Sequence, residues 1–116
     1  MVDKTEKFSH LVTTDEETGI VIRENYYVND RYKHNPNGAA YIERDRVTGV
    51  TTIEKYYING RLHRDGEPAL IKRDGKTSEA VEVEYWQNGQ RITPKQNESH
   101  LERVKSSRAS SQDRGI

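Results

Sequence analysis

The sequence predicts an all-β fold, an antiparallel meander of repeated β-hairpins. Three observations carry this expectation. The chain repeats itself with a period of 29–30 residues. Asn-Gly turn signals recur at the same place in successive copies. Between residues 8 and 93 there is no convincing 3.6-residue periodicity of the kind an amphipathic helix needs.

The repeat is legible residue by residue. Glu24-Asn25-Tyr26-Tyr27-Val28-Asn29-Asp30 aligns with Glu54-Lys55-Tyr56-Tyr57-Ile58-Asn59-Gly60, and a third copy is Glu84-Tyr85-Trp86-Gln87-Asn88-Gly89. His34-Asn35-Pro36-Asn37-Gly38-Ala39-Ala40 aligns with His63-Arg64-Asp65-Gly66-Glu67-Pro68-Ala69. Tyr41-Ile42-Glu43-Arg44-Asp45 then matches Leu70-Ile71-Lys72-Arg73-Asp74, and Leu11-Val12-Thr13-Thr14-Asp15 fits the same slot upstream. There are two full copies with partial units at each end.

Each unit reads as two strands. Ala40 to Asp45 is a short β-branched and aliphatic run, Val47-Thr48-Gly49 is a turn, and Val50 to Ile58 alternates and is rich in Thr, Ile and Tyr. Asn59-Gly60 and Asn88-Gly89 suit a type I′ hairpin, because both residues tolerate positive φ. Asn29-Asp30 is a weaker version, and Asp74-Gly75 marks the other turn of the later unit. The count is about six or seven strands in one elongated sheet. Alternation puts Ile22, Tyr26, Val28, Thr52, Tyr56, Ile58, Val81, Val83 and Tyr85 on the more apolar face. Arg23, Asn25, Tyr27, Lys55, Tyr57, Glu82, Glu84 and Trp86 share the charged face, where aligned aromatics are expected to stack across strands.

Composition bounds the rest. Of 116 residues 31% are hydrophobic and 33% charged, which leaves too little apolar material for a thick core. Lys+Arg and Asp+Glu are both 19, so no net charge drives the chain toward nucleic acid or an anionic membrane. The absence of cysteine excludes disulfides, thiolate metal sites and a cysteine nucleophile. No apolar run reaches membrane-spanning length, and the start of the chain has no signal-like apolar stretch. These features point to a soluble cytoplasmic protein. Residues 1–7 read as a flexible N-terminus and 8–93 as the repeat domain. Residues 94–116 read as a largely disordered tail, with Lys95, Arg103, Lys105, Arg108 and Arg114 against Glu98, Glu102 and Asp113.

The string Tyr56 to Arg64, followed by Asp65-Gly66-Glu67-Pro68-Ala69, resembles variant MORN-type repeats of bacterial and phage proteins. The resemblance covers roughly residues 20–92. The chain departs from it where Asp30 replaces the turn Gly, Asn35 replaces the Arg and Glu67 takes the Gly slot before Pro68. The resemblance implies β-hairpin repeats in an elongated sheet. It also implies roles in protein–protein interaction, membrane-proximal scaffolding, or antitoxin and immunity functions.

Catalytic chemistry finds little support. His34 and His63 are repeat-equivalent, which favours a role in the fold of each unit, and no His-x-His or His-x3-His spacing occurs. His63-Arg64-Asp65 resembles a kinase catalytic-loop fragment, but there is no glycine-rich loop and no room for two lobes. Glu82 and Glu84 read as a solvated strand face. The chain is therefore expected not to be an enzyme and to need no cofactor or metal. The better candidates are binding residues: Tyr27, Tyr57 and Trp86 with Arg23 and Lys55, and then His34, His63 and Arg64. Such aromatics anchor protein partners, and they can also stack bases in single-stranded nucleic acid. The leading expectation is a protein-interaction module acting through this face or an edge strand, with a homodimer through the sheet edges as one form of it. A single-stranded nucleic-acid-binding accessory protein is the alternative.

Overall fold

The computed structural model describes residues 5–93. The described chain is all-β and antiparallel, with ten strands: β1 (Phe8–Thr14), β2 (Val21–Val28), β3 (Tyr32–Lys33), β4 (Tyr41–Arg44), β5 (Thr51–Lys55), β6 (Tyr57–Ile58), β7 (Arg61–Leu62), β8 (Leu70–Arg73), β9 (Ala80–Gln87) and β10 (Gln90–Ile92). Seven lie on one meander path, β1-β2-β4-β5-β8-β9-β10, and β3 pairs beside β2. The expected single sheet is corrected in one respect: β6 and β7 form a separate two-stranded ribbon, because Tyr56 interrupts the strand between β5 and β6. Among the described residues no helix is long and apolar enough to cross a membrane. The tail expected to be disordered lies outside the described residues.

At one end of the sheet, three turns share one construction. The Asp15 carboxylate accepts backbone N–H groups of Glu17 and Thr18, and the Thr18 hydroxyl accepts the Ile20 N–H. Asp45 does the same for Val47 and Thr48, with Thr48 accepting from Val50. Asp74 repeats it for Lys76 and Thr77, with Thr77 accepting from Glu79. Short polar side chains thereby satisfy turn amides that the ladder leaves free. The residue after each Thr takes positive φ: Gly19 (78°), Gly49 (79°) and Ser78 (66°). Asp74-Gly75 does open the other turn of the later unit, and within that turn Ser78 fills the left-handed slot that glycine fills twice before. The turns are tied to one another. Arg46 bonds Asp15 at 2.9 Å and Glu17 at 3.0 Å, and the Thr48 hydroxyl donates to the Gly75 carbonyl.

At the other end, successive hairpins dock on one another. Asn59 and Asn88 take φ of 50° and their glycines 82° and 81°, as the Asn-Gly signal requires. Gly60 N–H donates to the Lys33 carbonyl and Gly89 N–H to that of Leu62. The first hairpin has no earlier hairpin to dock on. There the Asn29 N–H donates to the Lys7 carbonyl, the Lys7 N–H donates to the Asn29 side-chain oxygen, and the Lys7 ammonium pairs with Asp30 at 3.0 Å, so Lys7 is held against the first hairpin.

Among the described residues the buried apolar core is Val28, Ala39, Ala40, Ala69, Leu70 and Ile71. Polar pairs carry much of the remaining cohesion. Arg44 pairs with Glu24, and Arg73 pairs with Glu54 at 3.1 Å, in equivalent places. The Tyr26 hydroxyl donates to Glu24 and the Tyr56 hydroxyl to Glu54. Burial works to raise the Glu24 pKa, but hydrogen bonds from Arg44 and His10 outweigh it and the carboxyl titrates below its ordinary range.

Candidate binding face

Pairing register defines the face. Asn25, Tyr41, Lys55, Leu70 and Glu84 stand opposite one another in a single row across β2, β4, β5, β8 and β9. Arg23, Glu43, Ile53, Lys72 and Glu82 form the next row on the same side. The intervening row, Glu24, Ile42, Glu54, Ile71 and Val83, belongs to the opposite side and contains the Arg44 and Arg73 ion pairs.

Two of the predicted aromatics meet. Tyr57 on β6 and Trp86 on β9 line one groove of about 400 Å³ between the second and third hairpins, together with Gly60, Arg61, Leu62, Asn88 and Gly89. The Trp86 indole N–H donates to Glu84 at 3.0 Å, which fixes the ring. Burial pushes the Tyr57 hydroxyl above its ordinary pKa, so it stays a neutral donor. Tyr27 is half-buried on β2, opposite Lys33 and Ser9, and is not part of that groove. The expected ladder of stacked Tyr27, Tyr57 and Trp86 rings is not formed. The ring stacks among the described residues are His10 on Tyr26 at 4.1 Å and Phe8 on His34 at 6.0 Å. Tyr57 and Trp86 instead wall the groove between the two docked hairpins.

A residue that sequence reasoning missed, Lys33, lies near Tyr57 of this groove, and Lys55 shares its contact with Tyr41. Lys33 Nζ is 4.8 Å from the centre of the Tyr41 ring and 5.7 Å from that of Tyr57; Lys55 Nζ is 5.3 Å from that of Tyr41. Both ammonium groups therefore gather on one aromatic patch. Burial, and then the charge of Lys55, hold Lys33 below the ordinary lysine pKa. The Tyr41 hydroxyl donates to Glu43, and burial followed by that bond raises its pKa, with Arg23 opposing. Arg23 stands exposed across from Glu43.

The other predicted residues are engaged in the fold. His34 Nδ1 accepts the Asn59 N–H at 2.9 Å, and His63 Nδ1 accepts the Asn88 N–H at 3.0 Å. Each imidazole thus carries its proton on Nε2 and locks the next hairpin to its own unit. Arg64 lies 3.9 Å over the Tyr56 ring, donates to the Pro68 carbonyl and pairs with Glu67 at 3.3 Å. Asn35 donates to the Ala39 carbonyl in the equivalent place, so it performs the loop-closing part of the arginine's role. Among the described residues no group of three or more His, Asp or Glu is placed to hold a metal ion.

The arrangement suits recognition: a shallow aromatic groove for an apolar side chain, with lysine ammonium groups on the neighbouring Tyr41 and Tyr57 rings. No family model, curated protein or solved structure matches the chain.

Proposed function

We propose that this chain is a non-enzymatic protein-interaction module, of the adaptor, inhibitor or immunity kind, that binds its partner through the Tyr57–Trp86 groove. The observation that carries the reading is that the chain's one tryptophan and a half-buried tyrosine wall the same depression, with the polar ends of both hairpins at its rim. Tyr, Trp and Arg are the residue types that dominate binding energy when they sit in such pockets. The MORN-type resemblance supports the same reading, and so does the engagement of both repeat-equivalent histidines in hairpin docking. A cysteine-free chain without net charge suits the cytoplasm.

The test is affinity capture from the native host with the full chain as bait, run beside Trp86→Ala and Tyr57→Ala. A stoichiometric protein partner is expected, weakened about tenfold or more by either change, with melting temperatures of both variants showing that the sheet survives. A partner retained equally by both variants would move the interface elsewhere, and the groove reading would fall.

One observation favours a second reading. Lys33 and Lys55 interleave with Tyr41 and Tyr57, as cations and aromatics do in single-strand binders. Oligonucleotide binding with a steep salt dependence would support it; no binding at low salt would remove it.

A further inference from the structure

We propose that Lys33 and Lys55 form a carboxylate-binding site beside the Tyr57–Trp86 groove, so that the partner segment is acidic: an extended stretch in which an Asp or Glu stands next to an apolar or aromatic side chain. The inference rests on the groove reading above and names the chemistry of its occupant.

The first support is uncompensated charge. Both ammonium groups lie against the Tyr41 ring, and among the described residues neither is ion-paired. Most other cations on this sheet do have carboxylate partners: Arg44 with Glu24, Arg46 with Asp15, Arg73 with Glu54 and Lys72 with Glu82. Burial first, and repulsion from Lys55 second, lower the Lys33 pKa, so the two charges on this ring are held at a cost. An anion bound at these lysines offsets that repulsion and accepts charge-assisted hydrogen bonds.

The second support comes from the repeat. Lys33 occupies the place that Leu62 occupies one unit later, since Gly60 docks on one carbonyl and Gly89 on the other. Tyr41 and Lys55 pair as Leu70 and Glu84 do in the next unit. The fold therefore builds the same layer from two leucines and a glutamate. The lysines are not required by the architecture, and they occur where the two copies differ.

Position and surroundings choose the class of anion. Lys33 Nζ lies 5.7 Å from the centre of the Tyr57 ring, which lines the groove, so an extended segment with a carboxylate at Lys33 can present its adjacent side chain toward the groove. A nucleic-acid strand carries its charge continuously, and it would meet Glu43, Glu82 and Glu84 in the two rows of this face. A single carboxylate flanked by an apolar residue avoids them.

The experiment uses the full chain and two synthetic peptides, acetyl-Gly-Phe-Glu-Gly-amide and its Gln counterpart, titrated by NMR chemical shift, with oligo-dT as a third probe. The Glu peptide is expected to bind about three- to tenfold tighter than the Gln peptide at low salt. That preference should vanish in Lys33→Leu/Lys55→Gln, whose first change installs the residue the next repeat already uses. Trp86→Ala should weaken both peptides alike. Equal affinity of the two peptides for the wild-type chain, or no shift with either up to about 10 mM, overturns the carboxylate site. Oligo-dT that displaces the Glu peptide at lower concentration also overturns it, in favour of a polyanion. The two readings fail separately: a captured partner that is lost with Trp86→Ala but indifferent to both lysine changes keeps the groove and discards the carboxylate site.

Discussion

Asp15, Asp45 and Asp74 each turn the chain by accepting two backbone N–H groups, and this ties the stability of the sheet to acid. The Arg46 guanidinium, and then the Thr18 amide, hold the Asp15 carboxyl at about 2. The amides of Thr48 and Val47 lower Asp45, and those of Thr77 and Lys76 lower Asp74. An unfolded Asp titrates near ~3.9. A folded value below the unfolded one means the stabilisation is fully present above the unfolded pKa and drains away as pH falls through the folded one. The melting temperature should therefore be level from neutral pH to about pH 5 and fall steadily toward pH 2. Asp15→Asn should make that fall shallower, and a decline equally steep in the variant would show that other groups control it. Ser78 offers the opposite case. It pays for a left-handed backbone that its two counterparts assign to glycine, so Ser78→Gly should stabilise the chain by about 0.5 kcal/mol despite the added freedom of the unfolded state. A lowered denaturation midpoint would mean that the Ser78 side chain does something the turn geometry does not reveal.

At the scale of the element, the hairpins hold through backbone contact at glycine. A Cβ on Gly60 would sit 2.8 Å from Cδ1 of the Tyr32 ring, whereas one on Gly89 would meet only the flexible Arg61 stem at 3.5 Å. Both residues have strongly positive φ. Gly60→Ala should cost about 2–3 kcal/mol, combining left-handed strain with a ring that must move, and Gly89→Ala about 1–2 kcal/mol from the strain alone. Equal losses in a chemical denaturation series would show that Tyr32 yields freely. His63→Ala removes the acceptor for the Asn88 N–H and should cost about 1 kcal/mol. These docking bonds explain what was legible in the sequence. The Asn-Gly pairs and the repeat-equivalent histidines were visible as local strings. Their partnership was not, because each histidine serves a residue 25 positions onward that only the stacking of hairpins brings near. The recurring Asp-x-x-Thr of the other turns was present in plain view at 15–18, 45–48 and 74–77. Lys33 and Tyr41 were missed for the reverse reason: alignment rewards the positions where copies agree, and these two stand where the copies differ.

At the scale of the whole molecule, the described residues form a stack of units whose two ends differ and whose sheet edges are open among those residues. Extension of the stack past the first hairpin is blocked, because the Asn29 N–H is already bonded to Lys7. At the last described hairpin, Ile92 pairs across β9–β10 where a histidine stands in the two earlier units, so that position offers no imidazole acceptor for another turn. The edges are less protected. Among the described residues β1 pairs only with β2 and leaves Phe8, Leu11 and Val12 more than half exposed. Among the described residues β10 covers β9 only at Tyr85–Gln87, which leaves the outer side of Ala80–Glu84 unpaired, with Val81 68% exposed. β1 contains neither Lys nor Pro, the residues that usually block strand addition. Self-association should therefore proceed through edges rather than by lengthening the stack. Sedimentation velocity is expected to show a concentration-dependent oligomer, shifted toward monomer by Leu11→Lys or Val81→Lys, with stability changed by no more than ~0.5 kcal/mol because both side chains already face water. If only Leu11→Lys acts, the β1 edge pairs with its own copy in an isologous dimer; if either change suffices, β1 of one chain adds to β9 of another, an open head-to-tail contact that can propagate. A monomer at every concentration would mean that the edges are covered, and binding would then be left to the face that carries Trp86, Tyr57 and the two lysines.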